Sequence, residues 1–499
     1  MEGSLLSALV LTPGAVGLLL LLFVPRNAES AHRWIGLSAS LASLALALVA
    51  WTRFDPTSAA FQLVEVRRWL PSLGISYRLG ADGISMLLVM LTALLQPLVL
   101  ISSWHSIRQR VKGYVAAMLL LETGMLGAFL ATDLFLFYVF WELMLLPMYF
   151  IIGVWGGERR IYAAVKFVLF TLAGSLLMLV AILYLSYLHH VQFGAWSFSY
   201  EDLLRVNIAM GDSFWHSPQA LLFWAFALAF AIKVPVWPLH TWLPDAHVEA
   251  PTGGSIILAG VLLKLGTFGF LRYNRPMFPE AWQQATPVFV TLAVIAIVYG
   301  ALVAWAQKDM KKLVAYSSVS HMGFIILGLF AGTVASTQGA ILQMINHGLS
   351  TGALFMLVGV VYDRRHTRLI EDYGGLAVVM PLYTGAFLVA TLSSIGLPGL
   401  NGFVGEFLIL TGAYSTQPLA VILGASGIVL GAVYMLSLVQ RVFWNPLAHE
   451  ENRELPDMKW HELAAFAPLA VFMVWIGVYP GPFLRVSEAA VRHLIGGGA

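Results

Sequence analysis

Long apolar runs separated by short polar stretches recur along the whole 499-residue chain. A helix that crosses a bilayer needs about 20 mainly apolar residues, and most of these runs have that length. In lipid the backbone must satisfy its own hydrogen bonds, so the pattern predicts an all-α integral membrane bundle. We predict fourteen spanning helices, at 5–24, 33–52, 84–104, 113–131, 134–153, 162–187, 220–240, 252–272, 287–305, 312–332, 337–361, 380–412, 418–440 and 463–484.

The polar stretches between the predicted helices are short. The longest are about 53–83, 188–219 and 441–462, and none is long enough to hold a second domain. The N-terminal segment carries the acidic Glu2 where a signal peptide would carry basic residues, so we interpret it as the first spanning helix. The chain is therefore expected to be a single polytopic membrane domain over 1–499.

Two of the predicted helices are interrupted by helix-breaking residues. Pro235 and Pro238 break the seventh helix, and a run rich in Gly and Pro over 396–402 breaks the twelfth. If helices 4–8 and 9–13 form two sets of five, each broken helix is the fourth of its set. Because five is odd, the second set starts from the opposite face, as in inverted repeats, where matching interruptions mark the transport site. A packing role for these residues is the alternative. The predicted repeats cover 113–272 and 287–440.

The composition supports this class of protein. Hydrophobic residues make up 59% of the chain and charged residues only 11%, whereas soluble domains carry about 25% charged residues. The chain has no cysteine, which excludes disulfides, iron–sulfur clusters and thiolate zinc sites within it.

The basic residues indicate the orientation in the membrane. Nine of the 28 Lys and Arg residues lie in loops on the side of the two termini, and sixteen lie in loops on the opposite side. The positive-inside rule therefore predicts that both termini lie outside the cytoplasm. The other three, Lys166, Lys233 and Lys264, lie within predicted helices. Lys166 is only about one turn inside its helix, so its ammonium group is expected to snorkel to the interface.

Five charged residues lie deep within predicted helices: Glu122, Glu142, Lys233, Lys264 and Glu406. A charge at the bilayer centre costs roughly 2.5–3.5 kcal/mol, so such residues face the bundle interior and often mark an ion pathway. Structural alternatives remain open. Glu142 would then be a hydrogen-bonded carboxyl that joins helices, Lys233 a member of a structural ion pair, and Lys264 a fixed partner of a carboxylate such as Glu122.

Lys264 and three histidines add groups that exchange protons. Lys264 lies in a helix rich in glycine, where close packing buries it and a lysine can accept and release protons at cellular pH. His240 lies two turns beyond Lys233 on the same face. His321 and His347 lie in the middle of predicted helices, with hydroxyl and amide side chains one turn away, and could form a proton relay. Ordinary buried histidines are the alternative.

Four stretches together resemble a known family: FWELMLLPMY, KVPVWPLHTWLPDAHVEAPTGGSIILAGVLLKLG, AYSSVSHMG and GLPGLNGFVGEF. They are similar to the antiporter-like subunits of respiratory complex I, and also to the multi-subunit cation/proton antiporters. The similarity covers about helices 3 to 13. Most relatives place a lysine on the twelfth helix, whereas the glutamate here, Glu406, resembles the M-type members of the family.

The resemblance implies roles for individual residues. Glu142 and Lys233 match the glutamate–lysine pair on helices five and seven, and Lys264 matches the central lysine on helix eight. His321 and His347 match polar connectors towards the second half, and Glu406 matches the terminal site. His240 and Glu122 remain secondary candidates. Protons would move through these groups from the cytoplasm to the periplasm across the bacterial inner membrane, coupled to NADH–quinone electron transfer elsewhere in the complex.

The resemblance also implies the partners and cofactors. We expect L- and N-type antiporter-like subunits, small membrane subunits and lipid as partners, and no nucleic acid. We expect no cofactor or metal in this chain, and NADH, FMN, iron–sulfur clusters and quinone in partner subunits. A subunit of a Na⁺/H⁺ antiporter is the main alternative. A membrane redox enzyme with haem held between His321 and His347 is a more remote one.

Overall fold

The computed structural model describes residues 2–211 and 215–496 and is almost entirely helical, which confirms the predicted all-α class. The main helices are α1 (Leu5–Phe23), α2 (Glu29–Arg53), α3 (Gly83–Ser102), α4 (Val111–Leu130), α5 (Leu134–Trp155), α6 (Arg160–Phe193), α7a (Pro218–Lys233), α7b (Trp242–Glu249), α8 (Thr252–Met277), α9 (Pro279–Trp305), α10 (Met310–Phe330), α11 (Val334–Arg365), α12a (Pro381–Ser394), α12b (Asn401–Ala413), α13 (Pro418–Trp444), α14 (Trp460–Val478) and α15 (Gly481–Gly496). Short helical turns lie at Glu2–Ser4, Pro71–Leu73, Tyr200–Leu203, Ile370–Asp372, Leu376–Val379 and Glu450–Asn452.

Twelve continuous helices of the described part are long and apolar enough to cross a membrane. The predicted spans 220–240 and 380–412 are each divided into two shorter helices, at the places where the sequence indicated a break. In the second break Gly396 and Gly399 have positive φ angles of 74° and 93°, a conformation that glycine adopts without a Cβ penalty. The count of fourteen spans and the inverted repeats stay predictions.

The helices form a buried centre and a more exposed rim. The most apolar stretches of α8 and α11 are completely buried within the protein, whereas only 39% of the corresponding stretches of α6 and α13 is buried. Glycines allow the central pair to approach closely, because a Cβ on Gly348 would lie 2.9 Å from the Gly260 carbonyl oxygen. This contact brings the polar residues of α8 and α11 together.

A β-hairpin occupies the loop predicted over 53–83. Strands β1 (Gln62–Leu70) and β2 (Ile75–Ala81) pair antiparallel. The Glu65 carboxylate of β1 accepts hydrogen bonds from the backbone N–H groups of Leu6 (2.7 Å) and Ser7 (3.1 Å), at the start of α1. A carboxylate stabilises a helix N-terminus because it satisfies N–H groups that lack intrahelical partners. The hairpin is thus anchored on the bundle.

The C-terminal end of the predicted helix over 463–484 was wrong. The helix ends at Val478, and the amphipathic α15 follows. Val486, Ala490 and Val491 of α15 are buried, whereas Arg485 and Arg492 are exposed. The prediction extended past the end of the helix because a run of about 20 apolar residues does not reveal the interruption at Tyr479 and Pro480.

Candidate functional site

Lys264 lies in the fully buried helix α8, two residues after the end of a π-helical turn over Leu258–Leu262. Its Nζ atom donates to the carbonyl oxygen of Ala259 within this turn, and it lies 2.6 Å from Nδ1 of His347 on α11. Single π-helical turns are rare and are frequent at functional sites. The predicted central lysine therefore contacts one of the two predicted histidines directly.

His347 and His321 face each other across a small polar cavity. Their ring centres lie 5.8 Å apart, and the cavity has a volume of about 10 Å³. Ser350, Thr351 and Ser393 also line it. The Nε2 atom of His347 and Oγ1 of Thr351 are buried and have no hydrogen-bond partner among the described residues. A space of this size with polar walls accommodates about one water molecule.

Glu406 completes the polar series on α12b. Its Oε1 atom lies 2.9 Å from Nδ1 of His321 and accepts a hydrogen bond of 3.1 Å from Nε2 of Gln343. Nε2 of His321 lies 3.3 Å from Oγ of Ser394, in the other half of the broken helix. The predicted residues Lys264, His347, His321 and Glu406 thus form one buried series across α8, α11, α10 and α12b.

Amide side chains around the twelfth-helix break hold Glu406 in place. Nδ2 of Asn346 donates to the backbone oxygen of Asn401 (2.7 Å) and to Oε1 of Gln343 (3.1 Å). Oγ of Ser393, before the break, donates to Oδ1 of Asn401, after it, over 2.5 Å. Sequence reasoning missed Asn346 because a neutral amide carries no charge that marks it within a helix, and it missed Asn401 because polar residues are common beside a glycine-rich break.

Glu142 and Lys233 lie outside this series. Lys233 is the last residue of α7a and is 1% exposed. Its Nζ atom has no hydrogen-bond partner within the described part of the chain. It lies 5.2 Å from the Trp141 ring centre and 5.5 Å from that of Phe167. No Glu142 oxygen lies within 4.0 Å of Nζ, the limit for an ion pair. A cation is favourable over aromatic faces and at a helix C-terminus, so Lys233 is accommodated without a contacting carboxylate.

The remaining candidates have separate surroundings. His240 lies in the break between α7a and α7b, with its ring 5.4 Å from that of Tyr299. Glu122 on α4 is fully buried, and neither carboxylate oxygen has a hydrogen-bond partner among the described residues. Lys166 bonds to Asp245 of α7b over 2.7 Å, so its ammonium group is held by a carboxylate.

His247 on α7b is a further candidate that sequence reasoning missed. It is completely buried, and its ring stacks on Phe355 with the ring centres 4.5 Å apart and the planes at 8°. Neither ring nitrogen has a hydrogen-bond partner among the described residues. Lys311 and Lys264 are the cations that act on it electrostatically. The signal was its place in the polar stretch between the predicted helices 220–240 and 252–272.

The geometry leaves no room for haem between His321 and His347. The cavity of about 10 Å³ between them is far smaller than a porphyrin, and both Nδ1 atoms already contact other side chains. Within the described ranges, no group of three or more His, Asp or Glu side chains is arranged to hold a metal ion.

Two family descriptions match the chain over adjoining segments. The family described as NADH:quinone oxidoreductase/Mrp antiporter, TM, matches residues 131–433, and NADH-ubiquinone oxidoreductase chain 4, amino terminus, matches residues 18–131. NADH-quinone oxidoreductase subunit M of Rhodobacter capsulatus is 45% identical over 502 residues, covering 99% of this chain and 96% of the relative. The chain belongs to the subunit M family of NADH-quinone oxidoreductase. The family inferred from the four motifs and from Glu406 is therefore confirmed.

Two solved structures have folds similar to that of this chain. A chain of respiratory complex I from Thermus thermophilus with bound NADH matches with a TM-score of 0.87 at 36% identity, covering 98% of this chain and all of the other. A chain of the Mrp complex from Dietzia sp. DQ12-45-1b matches with a TM-score of 0.83 at 21% identity, covering 99% of this chain and 97% of the other. The second likeness shows the shared fold alone.

Proposed function

We propose that this subunit translocates protons from the cytoplasm to the periplasm as a non-redox part of NADH-quinone oxidoreductase. The observation that carries the proposal is the buried series from Lys264 through His347 and His321 to Glu406. Each member both binds and releases a proton, as an amine, imidazole or carboxyl group can. Electron transfer, with NADH, FMN, iron–sulfur clusters and quinone, belongs to partner subunits.

A change in the pKa of a buried carrier can supply the work of moving a proton against the membrane potential. Moving one elementary charge against 100 mV costs about 2.3 kcal/mol. A difference of one unit in the pKa of a carrier corresponds to about 1.4 kcal/mol, so a modest change in the surroundings of a buried group would supply the work. In the proposed path, protons reach Lys264 from the side of Lys233, pass the two histidines and leave at Glu406. His240 and Glu122 remain secondary positions of this proposal.

The orientation and the symmetry belong to the same proposal. We place the chain in the bacterial inner membrane with both termini in the periplasm, because the loops on the opposite side carry more basic residues. The broken helices α7a/α7b and α12a/α12b would then occupy matching positions in inverted repeats over 113–272 and 287–440. The L- and N-type subunits and small membrane subunits are the proposed neighbours.

Glu142→Ala and Lys233→Ala are each expected to lower proton pumping and coupled NADH–quinone turnover by about tenfold or more, as loss of a proton-transferring group typically does. Pumping is measured with a pH-sensitive dye in sealed vesicles and normalised to assembled complex. Glu158→Ala, at an exposed loop position, is the control and should pump normally. Normal pumping by either test variant would remove that residue from the obligatory path.

The Na⁺/H⁺ antiporter alternative has its own outcome. This chain shares its fold with a chain of the Mrp complex, so the antiporter alternative is tested separately. If this chain carries sodium, replacing Na⁺ by K⁺ on both sides of the vesicles should reduce pumping that depends on Lys264. We expect no change, because the Glu406 site combines a single carboxylate with imidazole and amide groups and lacks the clustered oxygens that sodium prefers.

Gly405→Ala is expected to reduce pumping severalfold, because a Cβ there would lie 2.2 Å from Oε1 of Gln343 and 2.8 Å from Nδ2 of Asn346. The substitution would displace the amides that hold Glu406. Gly385→Ala on α12a is the matched control, since no atom lies within 4 Å of its added Cβ, and alanine favours a helix over glycine by about 1 kcal/mol. Equal pumping by both variants would show that the amides do not position Glu406.

A further inference from the structure

A buried ion pair lies at the end of the bundle that we place at the periplasm. Nη2 of Arg272, near the end of α8, lies 2.6 Å from Oδ1 of Asp82, and the two side chains are only 10% and 4% exposed. The same Asp82 oxygen accepts hydrogen bonds from the backbone N–H groups of Ile84 (3.2 Å) and Ser85 (2.9 Å), at the start of α3. The pair therefore joins two helices of the bundle, and the proposed proton route makes no use of it.

Aromatic rings enclose the guanidinium group of Arg272. Its Cζ atom lies 4.9 Å from the ring centre of Phe61, 5.2 Å from that of Phe268 and 5.8 Å from that of Tyr200. Phe61 precedes β1 and Tyr200 begins the short turn before α7a, and their two rings pack edge to face with the centres 5.7 Å apart. A cation is stabilised over the faces of aromatic rings. Asp82 and the three rings therefore hold the guanidinium from four separate parts of the chain.

An apolar layer separates this ion pair from Lys264. Arg272 lies eight residues beyond Lys264 on the same helix, about 12 Å along its axis, and Phe268 lies halfway between them. Every residue between the two is buried, and the Phe268 ring packs against that of Phe129 on α4, with the ring centres 5.3 Å apart. Thr267, the one hydroxyl side chain in this stretch, donates to the carbonyl oxygen of Lys264 over 3.0 Å. The stretch thus offers no series of polar side chains from Lys264 towards the periplasm.

A proton that reached Arg272 from the periplasm would find no carrier there. Arginine keeps its proton in proteins, unlike lysine or histidine, so it cannot accept a proton on one side and release one on the other. The rings of Phe268 and Phe129 beyond it are apolar, and spaces with apolar walls stay dry. Direct exchange between Lys264 and periplasmic water would let protons return down the membrane potential without passing Glu406. Net transport therefore requires this end to be closed.

We propose that Arg272, held by Asp82 and its aromatic rings, seals the periplasmic end of the first half of the subunit together with the Phe268 layer. Lys264 then exchanges protons with the cytoplasmic side and with His347, and Glu406 remains the outlet. The inference rests on the proposed function of Lys264. Arg272 takes up and releases no transferred proton in this arrangement. It acts by keeping water and proton-exchanging groups away from one side of the carrier.

The first experiment measures passive proton entry into liposomes that contain the purified complex, without NADH and under an imposed K⁺ diffusion potential. Arg272→His replaces the guanidinium by a group that exchanges protons, and we expect proton entry to rise severalfold. Arg272→Met combined with Asp82→Asn removes both charges, keeps an apolar side chain beside the rings and retains an acceptor for the N–H groups of Ile84 and Ser85. This double variant should stay as impermeable as the wild type.

Arg364→His is the matched control for the loss of a buried arginine. Arg364 lies 2.7 Å from the carboxylate of Glu462, at the opposite end of the bundle, and its replacement should not raise proton entry. Unchanged proton entry in Arg272→His would overturn the proposed seal. Equal leakage by Arg272→His and by the double variant would also overturn it, since the ion pair would then serve only the packing of α3 on α8.

Phe268→Ala tests the apolar layer even if Arg272→His does not assemble. It removes the ring one turn before Arg272 and should raise proton entry severalfold. Phe270→Ala is its matched control on the same helix, because the Phe270 ring is also buried but packs against Phe289, with the ring centres 5.1 Å apart. Equal proton entry in the two variants would contradict a sealing role of the layer.

Lys264→Met separates a failure of the seal from a failure of the proposed function. Added to Arg272→His, it should return proton entry to the wild-type level, since the leak is expected to pass through Lys264. A leak that persists in this combination would overturn the seal, because protons would then bypass Lys264. Normal pumping by Lys264→Met alone would instead refute the proposed function.

Discussion

Lys264→Met is expected to abolish proton pumping while the complex still assembles. Methionine has a similar length and is apolar, so it fits the fully buried position, but it cannot bind a proton. It would leave Nδ1 of His347 without its partner, at a cost of about 1–3 kcal/mol, which a large bundle tolerates. The measurement is dye-detected pumping in sealed vesicles, normalised to the amount of complex, with coupled NADH–quinone turnover measured in parallel.

Lys264→Arg separates the positive charge from proton exchange. Arginine keeps the charge and the donors but does not release its proton in proteins. It should also fail, which would show that exchange and not charge is required. Lys308→Met, at an exposed loop position, is the control for loss of a lysine and should pump normally. Wild-type pumping by Lys264→Met would contradict the central role of this residue and of its contact with His347.

Glu406→Gln is expected to lower pumping by about tenfold or more, because the amide has the shape of the carboxyl but cannot titrate. Glu406→Asp keeps the chemistry and withdraws the carboxyl by one methylene, away from His321 and Gln343, so its pumping should be intermediate. Glu406→Lys should retain part of the activity, since a neutral amine can accept a proton and Nδ1 of a neutral His321 can accept a hydrogen bond from it.

Glu454→Gln, in an exposed loop, is the matched control for the change of a carboxyl to an amide. Full activity in Glu406→Gln would rule out the proposed terminal role and would move the exit to another residue, with His347 the next to test. Higher pumping by Glu406→Asp than by Glu406→Gln would indicate a titrating carboxyl and not a purely structural one. A structural role predicts that Gln, which preserves length and hydrogen bonding, performs better than Asp.

Hydropathy predicted the bundle because membrane spans are set by length and apolar content, which a single sequence records directly. The breaks were predicted because Pro and Gly act locally, as at Pro235 and Gly396. The hairpin over Gln62–Ala81 was missed, since its strands alternate weakly and its anchor, Glu65 on the start of α1, is a contact between residues 58 or more positions apart.

Contacts between helices depend on how each helix is rotated, and the sequence does not give that rotation. The individual residues Lys264, His347, His321 and Glu406 could be selected because charge and imidazole are rare in apolar runs. Their order in space could not be worked out from the residues alone. Glu142 and Lys233 match a glutamate–lysine pair of the family and interact electrostatically here. The close contacts of the lysine Nζ atom are with aromatic rings, and a proton-transferring role of the pair stays a prediction.

The two lysines are held by forces of different kinds. Lys264 makes directional hydrogen bonds to Ala259 and His347, so its ammonium group leaves only by breaking them. Lys233 rests on the faces of Trp141 and Phe167, and the attraction of a cation to a ring face, worth about 2 kcal/mol when desolvated, changes gradually with position. The contacts of Lys233 therefore leave the direction of its N–H bonds undefined, whereas those of Lys264 point at two particular atoms, the Ala259 oxygen and Nδ1 of His347.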